Sequence, residues 1–414
     1  MSIFTSSIPT IEGDDLKIAK SLLRTKTTRE VQLTLPGFEN EKLFFTNTGR
    51  ASLYLLLQAL DISEGEEVVV QSFTCVALVI PLLWLKLKPV YADIDLGSYN
   101  MSFESLTRRI NDKTRAVIVQ HTFGIPSRIK EIRDYIDELN DKRDEKNRIY
   151  LVEDCAHSLN VKVNDKYLGT FGDVAFFSFG QDKVISSTQG GCAVCNDKEL
   201  QDRVEDLYKD LPNMSERMVR YNLRYPLLWN SIKRYYFKPN LLASTRRLSK
   251  FTVGKFLILL FRFLGLIKQQ ASKDNFGNPK EDLFKLSDKQ KLLLENQLAK
   301  LDRISQHRKD LVAKYSRLLD MDLEGALIRY PVVVENPLKV KSELQKIGVI
   351  SGNWYNYPVI PRGLDLRKVK YPLGTCPNTE YLMEHILNLP TSINVTERDV
   401  ERIVKVVRGS LIKV

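Results

Sequence analysis

Six short runs of β-branched, aliphatic and aromatic residues recur at 68–71, 89–93, 116–120, 149–153, 174–178 and 191–195, separated by longer stretches with helical spacing. Most of these runs are apolar throughout rather than alternating, the pattern of strands covered on both faces, and that pattern belongs to parallel sheets with helices packed above and below. The spacing predicts helices over 127–140 and 198–211, and a long helix over about 287–319 that leads into a smaller domain. The expected fold is α/β: a large domain over 1–305 built on a mostly parallel sheet, then a small α+β domain over 306–414. A chain of 414 residues with 43% hydrophobic content can bury cores of that size. The start, Met1 to Pro9, has no basic head and apolar run of a secretion signal, so cytoplasmic residence is expected.

Two charged residues sit where such sheets present chemistry. Asp154 ends the run at 149–153, and Lys183 follows the run at 174–178 after a polar turn, with Gly190 and Gly191 beyond it. As a pair they suit pyridoxal phosphate, which needs an amine to hold its aldehyde and an anion facing its ring nitrogen. Taken singly, each has a plain alternative: Asp154 as a helix cap near Ala156, and Lys183 as a solvated loop cation. A third element, 41–60, reads as a short strand, a turn at Gly49 and an amphipathic helix. The first turn of such a helix offers unpaired amides and a positive dipole end to a phosphate, to which Arg50 would add charge.

The order Thr48-Gly49-Arg50-Ala51-Ser52, Glu153-Asp154-Cys155-Ala156-His157, Ser178-Phe179 with Lys183 five residues after the serine, and Gly190-Gly191 resembles the DegT-type sugar aminotransferases, fold type I pyridoxal phosphate enzymes. The likeness continues through 66–74, 89–95, 116–126, 387–390 and 396–402. It implies that Lys183 forms the Schiff base and shuttles the proton, that Asp154 pairs with the ring nitrogen, and that His157 lies near the ring hydroxyl. Ser178 and the backbone amides of Arg50 and Ala51, after Gly49, would bind the phosphate. Tyr221-Asn222-Leu223-Arg224 is similar to an element whose asparagine reaches the neighbouring subunit's cofactor phosphate, which implies a homodimer; an ordinary surface loop is the alternative.

Two positions depart from that pattern. Arg50 stands where the family usually has threonine or serine, and Cys75 where an aromatic ring commonly stacks on the cofactor. Related dehydratases replace the anchoring lysine with histidine, so Lys183 favours transamination. The expected activity is amino transfer, from glutamate by analogy, to a nucleotide-linked keto sugar for polysaccharide or glycolipid synthesis. A pyridoxal phosphate lyase or dehydratase, or a cofactor-bound regulatory or scaffold protein without catalysis, are the competing readings.

No metal is expected. The five cysteines are scattered, and Cys192 and Cys195, three apart in a strand, should face opposite sides as buried thiols. His121 is expected to orient a loop or the substrate.

The region 214–280 stands apart as an insertion. It holds fourteen lysines and arginines against Glu216 and Asp274, so it carries the whole of the chain's excess positive charge. Within it, 251–268 is apolar almost all round but interrupted by Lys255 and Arg262, too short to span a bilayer. Two readings stay open: a peripheral contact with a membrane, or packing on the catalytic domain or a partner subunit, the commoner fate of apolar helices. Nucleic acid is not an expected partner, because the cations alternate with aliphatic bulk and no recognition motif is present.

Overall fold

The computed structural model describes residues 3–6, 10–25, 29–237, 252–267 and 276–413. Seven strands form the main sheet: β1 (Phe44–Thr46), β2 (Glu67–Gln71), β3 (Lys88–Ala92), β4 (Thr114–Gln120), β5 (Tyr150–Asp154), β6 (Val174–Ser178) and β7 (Gly191–Cys195). Their spatial order is β1-β7-β6-β5-β4-β2-β3, with β7 antiparallel to both of its neighbours and every other pairing parallel. The continuous apolar runs have the expected consequence: Val68, Val69 and Val70 are each fully buried, as are Val117, Ile118 and Val119. Burying each such side chain contributes about 1.5–3 kcal/mol before chain entropy is counted.

Helices cover both faces. Ile129, Ile132 and Ile136 of the helix Ile129–Asn140 join one core with Leu293, Leu301 and Cys192. Leu53, Leu56 and Leu57 of Gly49–Ala59 join the opposite core with Leu82, Val204 and Cys195. Cys192 and Cys195 therefore do lie on opposite faces, and all five cysteines are free thiols, with only Cys75 partly exposed.

Two expected elements take a different form. Gly49–Ala59 is not amphipathic: nine of its eleven residues are buried, because the sheet lies on one side and the helices Val76–Trp84 and Lys198–Lys209 on others. The long helix expected over 287–319 is two, Asp288–Leu298 and Leu301–Leu319, separated at Ala299 and Lys300. At that break Lys300 Nζ reaches Asp14 and Asp15 at 2.9 and 2.7 Å, and Gln297 bonds Asp15 and the Thr10 carbonyl, so the amino-terminal helix Gly13–Leu22 docks at the junction.

The second helix of that pair, within which residue 305 falls, leads into β8 (Arg329–Val333), which pairs antiparallel with β9 (Ile386–Pro390). Pro337–Lys346 and Glu397–Val407 close a third core around Tyr315, Tyr330 and Leu387. The chain start contributes to this unit, since Ile3–Phe4 pairs in parallel with Val349–Ile350. Val359–Ile360 pairs with Thr74–Cys75, which ties the carboxy-terminal part to the loop after β2.

Candidate active site

The parallel strands β4, β5 and β6 end side by side, and the residues just beyond them converge. Asp154 closes β5; its Oδ1 accepts the Ala156 amide at 3.0 Å in a turn, and no helix begins there for it to cap. Burial holds its carboxyl above the ordinary range, with the Ala156 amide and the charges of Lys183 and His121 pulling the other way. A buried carboxylate in that condition gains from a cationic N–H set against its free edge.

Lys183 Nζ lies 3.1 Å from His157 Nε2. His157 Nδ1 in turn accepts the Phe123 backbone N–H at 3.2 Å, and the imidazole stacks on the Phe123 ring at 6.3 Å and 11°. Phe123 stacks on Tyr355 at 5.8 Å, so a three-ring column fixes the imidazole. Burial, followed by the charges of Lys183 and Arg329, holds His157 well below its ordinary pKa, and the ring is neutral. His121 bonds Glu153 and takes the Ser127 amide at 3.2 Å, which makes it a loop-orienting residue.

The turn between β1 and its helix is pressed against β6 and β7. A Cβ at Gly191 would stand 2.4 Å from the Thr48 carbonyl oxygen and 2.6 Å from the Gly49 nitrogen, and one at Gly49 would stand 2.9 Å from Ser178 Cβ. Only glycine allows this approach, and it brings the helix N-terminus beside the Ser178 side chain. Thr48 caps the helix by accepting the Ala51 amide at 3.1 Å, so a phosphate would share or replace that bond. The Arg50 side chain is directed elsewhere, over the Trp84 ring at 5.5 Å and 3.7 Å from Asp282. Cys75 caps Val76–Trp84 through Ala77 and packs beside Phe73 and Tyr355. Asn222 is buried within the helix Glu216–Tyr235 rather than exposed on a loop.

The carboxy-terminal part of the chain adds groups that no local motif announces. Arg329, fully buried at the start of β8, bonds Asp182 Oδ2 at 3.0 Å and lies over the Trp354 ring at 4.2 Å; Lys183 Nζ is 5.8 Å from the same indole. Burial opposes ionisation of Asp182, but Lys183 and Arg329 outweigh it and lower its pKa. Among the described residues, Nε and Nη1 of Arg329 and all three guanidinium nitrogens of buried Arg308 find no hydrogen-bond partner. Burial, then the charge of Arg329, brings Arg308 down to about 9.

The sequence profile of the DegT/DnrJ/EryC1/StrS aminotransferase family matches residues 39–222 and 257–408. The chain belongs to this family. The unmatched stretch, 223–256, falls inside the basic region 214–280. The chain is 34% identical to GDP-perosamine synthase of Vibrio cholerae over 203 residues, 47% of this chain and 53% of that protein. It is 32% identical over 180 residues to dTDP-4-dehydro-2,3,6-trideoxy-D-glucose 4-aminotransferase of Saccharopolyspora spinosa, covering 43% and 45% of the two chains. These matches span about half the length of the curated relatives.

Its fold is that of Streptococcus pneumoniae Spr1654 in the pyridoxal phosphate form (TM-score 0.70, 20% identity, 97% and 96% coverage). It is equally that of Helicobacter pylori PseC, an aminotransferase involved in pseudoaminic acid biosynthesis (TM-score 0.69, 17% identity, 99% of each chain). The family makes pyridoxal phosphate the cofactor, and the donor set fits it: an amine at 183, a buried carboxylate at 154, and a glycine-lined helix N-terminus beside Ser178.

Proposed function

We propose that this protein is a pyridoxal phosphate-dependent aminotransferase that moves an amino group from an amino acid, glutamate by analogy, to a nucleotide-linked keto sugar in polysaccharide or glycolipid biosynthesis. The observation that carries the reading is the 3.1 Å contact between Lys183 Nζ and His157 Nε2, close to the buried Asp154 carboxylate. Bound there, the cofactor supplies an aldehyde to take up the donor's nitrogen and a ring that withdraws electrons from the adjacent carbon.

The chain's own groups would divide the remaining tasks. Asp154 would hold the ring nitrogen protonated, Ser178 and the amides of the Gly49–Ala59 turn would hold the phosphate, and His157 would lie near the ring hydroxyl. Lys183 Nζ would take a proton from the donor's α-carbon and pass it to the cofactor in one half of the reaction, and would deliver one to the sugar carbon that receives the nitrogen in the other. Arg329, with open nitrogens near the lysine and the charge of Arg308 close by, would take the donor's carboxylate. Asn222 would complete a phosphate site across a homodimer. Residence in the cytoplasm, with peripheral contact to a membrane, belongs to the same reading; among the described residues no helix is long and apolar enough to cross one.

The deciding experiment is incubation with glutamate and a panel of nucleotide-linked keto sugars, followed by mass analysis. An aminated sugar together with 2-oxoglutarate supports the reading. Loss of water from the sugar without nitrogen gain would replace it with a dehydratase.

A further inference from the structure

The apolar segment 252–267 has two faces with different fates. Thr252 caps the helix Val253–Phe263, and Leu257, Ile258 and Phe261 pack into a small core with Tyr225, Trp229, Ile232 and Ile267. Gly254 fixes the crossing: a Cβ there would stand 2.3 Å from the Tyr236 Cα, so the helix is pressed onto the end of Glu216–Tyr235. The orientation of the outer face is thereby set.

That outer face is apolar. Phe256, Leu259, Phe263 and Leu264 are 49, 51, 89 and 55% exposed, and they supply four of the seven exposed large hydrophobic residues among those described. Positions 256, 259 and 263 follow the i, i+3, i+7 spacing of one stripe. Concentration of apolar surface on one short helix marks a contact site rather than the scattered exposure of ordinary surfaces. Lys255 and Arg262 stand exposed beside the stripe, and 252–267 contains no acidic residue.

We propose that this face lies in the headgroup layer of an anionic lipid bilayer, with the phenylalanines and leucines among the acyl chains and the two cations at the phosphates. An eleven-residue helix is only about 16 Å long, which suits lying in the plane and excludes spanning. Charge decides between lipid and a second copy of the chain. A two-fold contact through this stripe would bring the two cations of one copy near those of the other with no carboxylate on the helix to offset them, whereas anionic headgroups complement them. The contact would hold the catalytic domain at the bilayer surface.

The test uses the full-length, cofactor-loaded protein with vesicles of phosphatidylcholine alone, or with about 30% phosphatidylglycerol, to supply the surface charge. The wild type should co-sediment with the anionic vesicles and not the neutral ones, and the bound fraction should fall as salt screens the charges. Leu259→Glu/Phe263→Glu and Lys255→Glu/Arg262→Glu should each reduce it by roughly tenfold, while the cofactor's visible absorbance stays unchanged and reports an intact site. A wild type that stays in the supernatant with anionic vesicles overturns the proposal, as does an apolar-face double variant that sediments like the wild type. Gel filtration in which that variant alone shrinks to a smaller assembly, without vesicle binding by either protein, would assign the face to a second copy instead.

Discussion

His157 Nε2 stands 3.1 Å from Lys183 Nζ while His157 Nδ1 accepts a backbone N–H from Phe123. With Nδ1 occupied as an acceptor, the neutral ring carries its proton on Nε2, the nitrogen that faces Lys183. Lys183→Ala should therefore lose the visible absorbance of the bound cofactor and all amino transfer while melting as a folded protein. His157→Gln keeps a donor near the same place, so it should retain the absorbance and lose about tenfold or more in turnover through poorer positioning. An unchanged spectrum in Lys183→Ala would reject the anchoring role.

Gly191 is predicted to be intolerant for a backbone reason. Its ideal Cβ meets the Thr48 carbonyl and the Gly49 nitrogen, which cannot rotate out of the way as a side chain tip could. Gly191→Ala should push the helix N-terminus off Ser178, cost about 1–3 kcal/mol of stability, and weaken cofactor binding further. Thermal melts with and without added pyridoxal phosphate separate the two effects: the cofactor-induced rise in Tm should shrink in the variant.

What the sequence revealed and what it concealed divide along the range of the interactions. β2 to β7 were legible because a strand buried on both faces must be apolar throughout, and with them the positions of Asp154 at the end of β5 and of Lys183 five residues after β6. The burial of Gly49–Ala59 on every side was not, since its polar-looking residues Ser52 and Gln58 mimic a solvent face that packing by two helices removes. Neither was the break at Ala299, which depends on an acidic cluster some 285 residues earlier meeting Lys300. Arg329 and Trp354 reach the lysine from about 145 and 170 residues further along the chain, so no spacing near position 183 could have signalled them.

Among the described residues, two guanidinium nitrogens of fully buried Arg329 and three of fully buried Arg308 find no hydrogen-bond partner. An anion bound there would offset a desolvation cost the protein otherwise bears alone. Arg329→Gln should raise the donor's KM by at least tenfold in the half-reaction with glutamate alone. The half-reaction of pyridoxamine phosphate-loaded enzyme with the keto sugar should change little. Equal damage to both halves would show a structural role, and rescue of the donor step by Arg329→Lys would support carboxylate recognition.

Lys233 packs over the Phe4 ring at 5.7 Å, and burial lowers its pKa from 10.5 to about 8. In the unfolded chain it holds its proton up to about pH 10.5, so between pH 8 and 10.5 the unfolded state binds more protons and this group's contribution to stability rises with pH. Below pH 8 both states are charged and this group's destabilising contribution is at its largest. Lys233→Met should therefore stabilise the fold at pH 7 by about 1–3 kcal/mol, and the gain should shrink steadily as the pH is taken towards 10. Denaturant midpoints for the two proteins at pH 7, 8.5 and 10 check this, and a gain that stays constant across the three would show that packing rather than charge sets the difference.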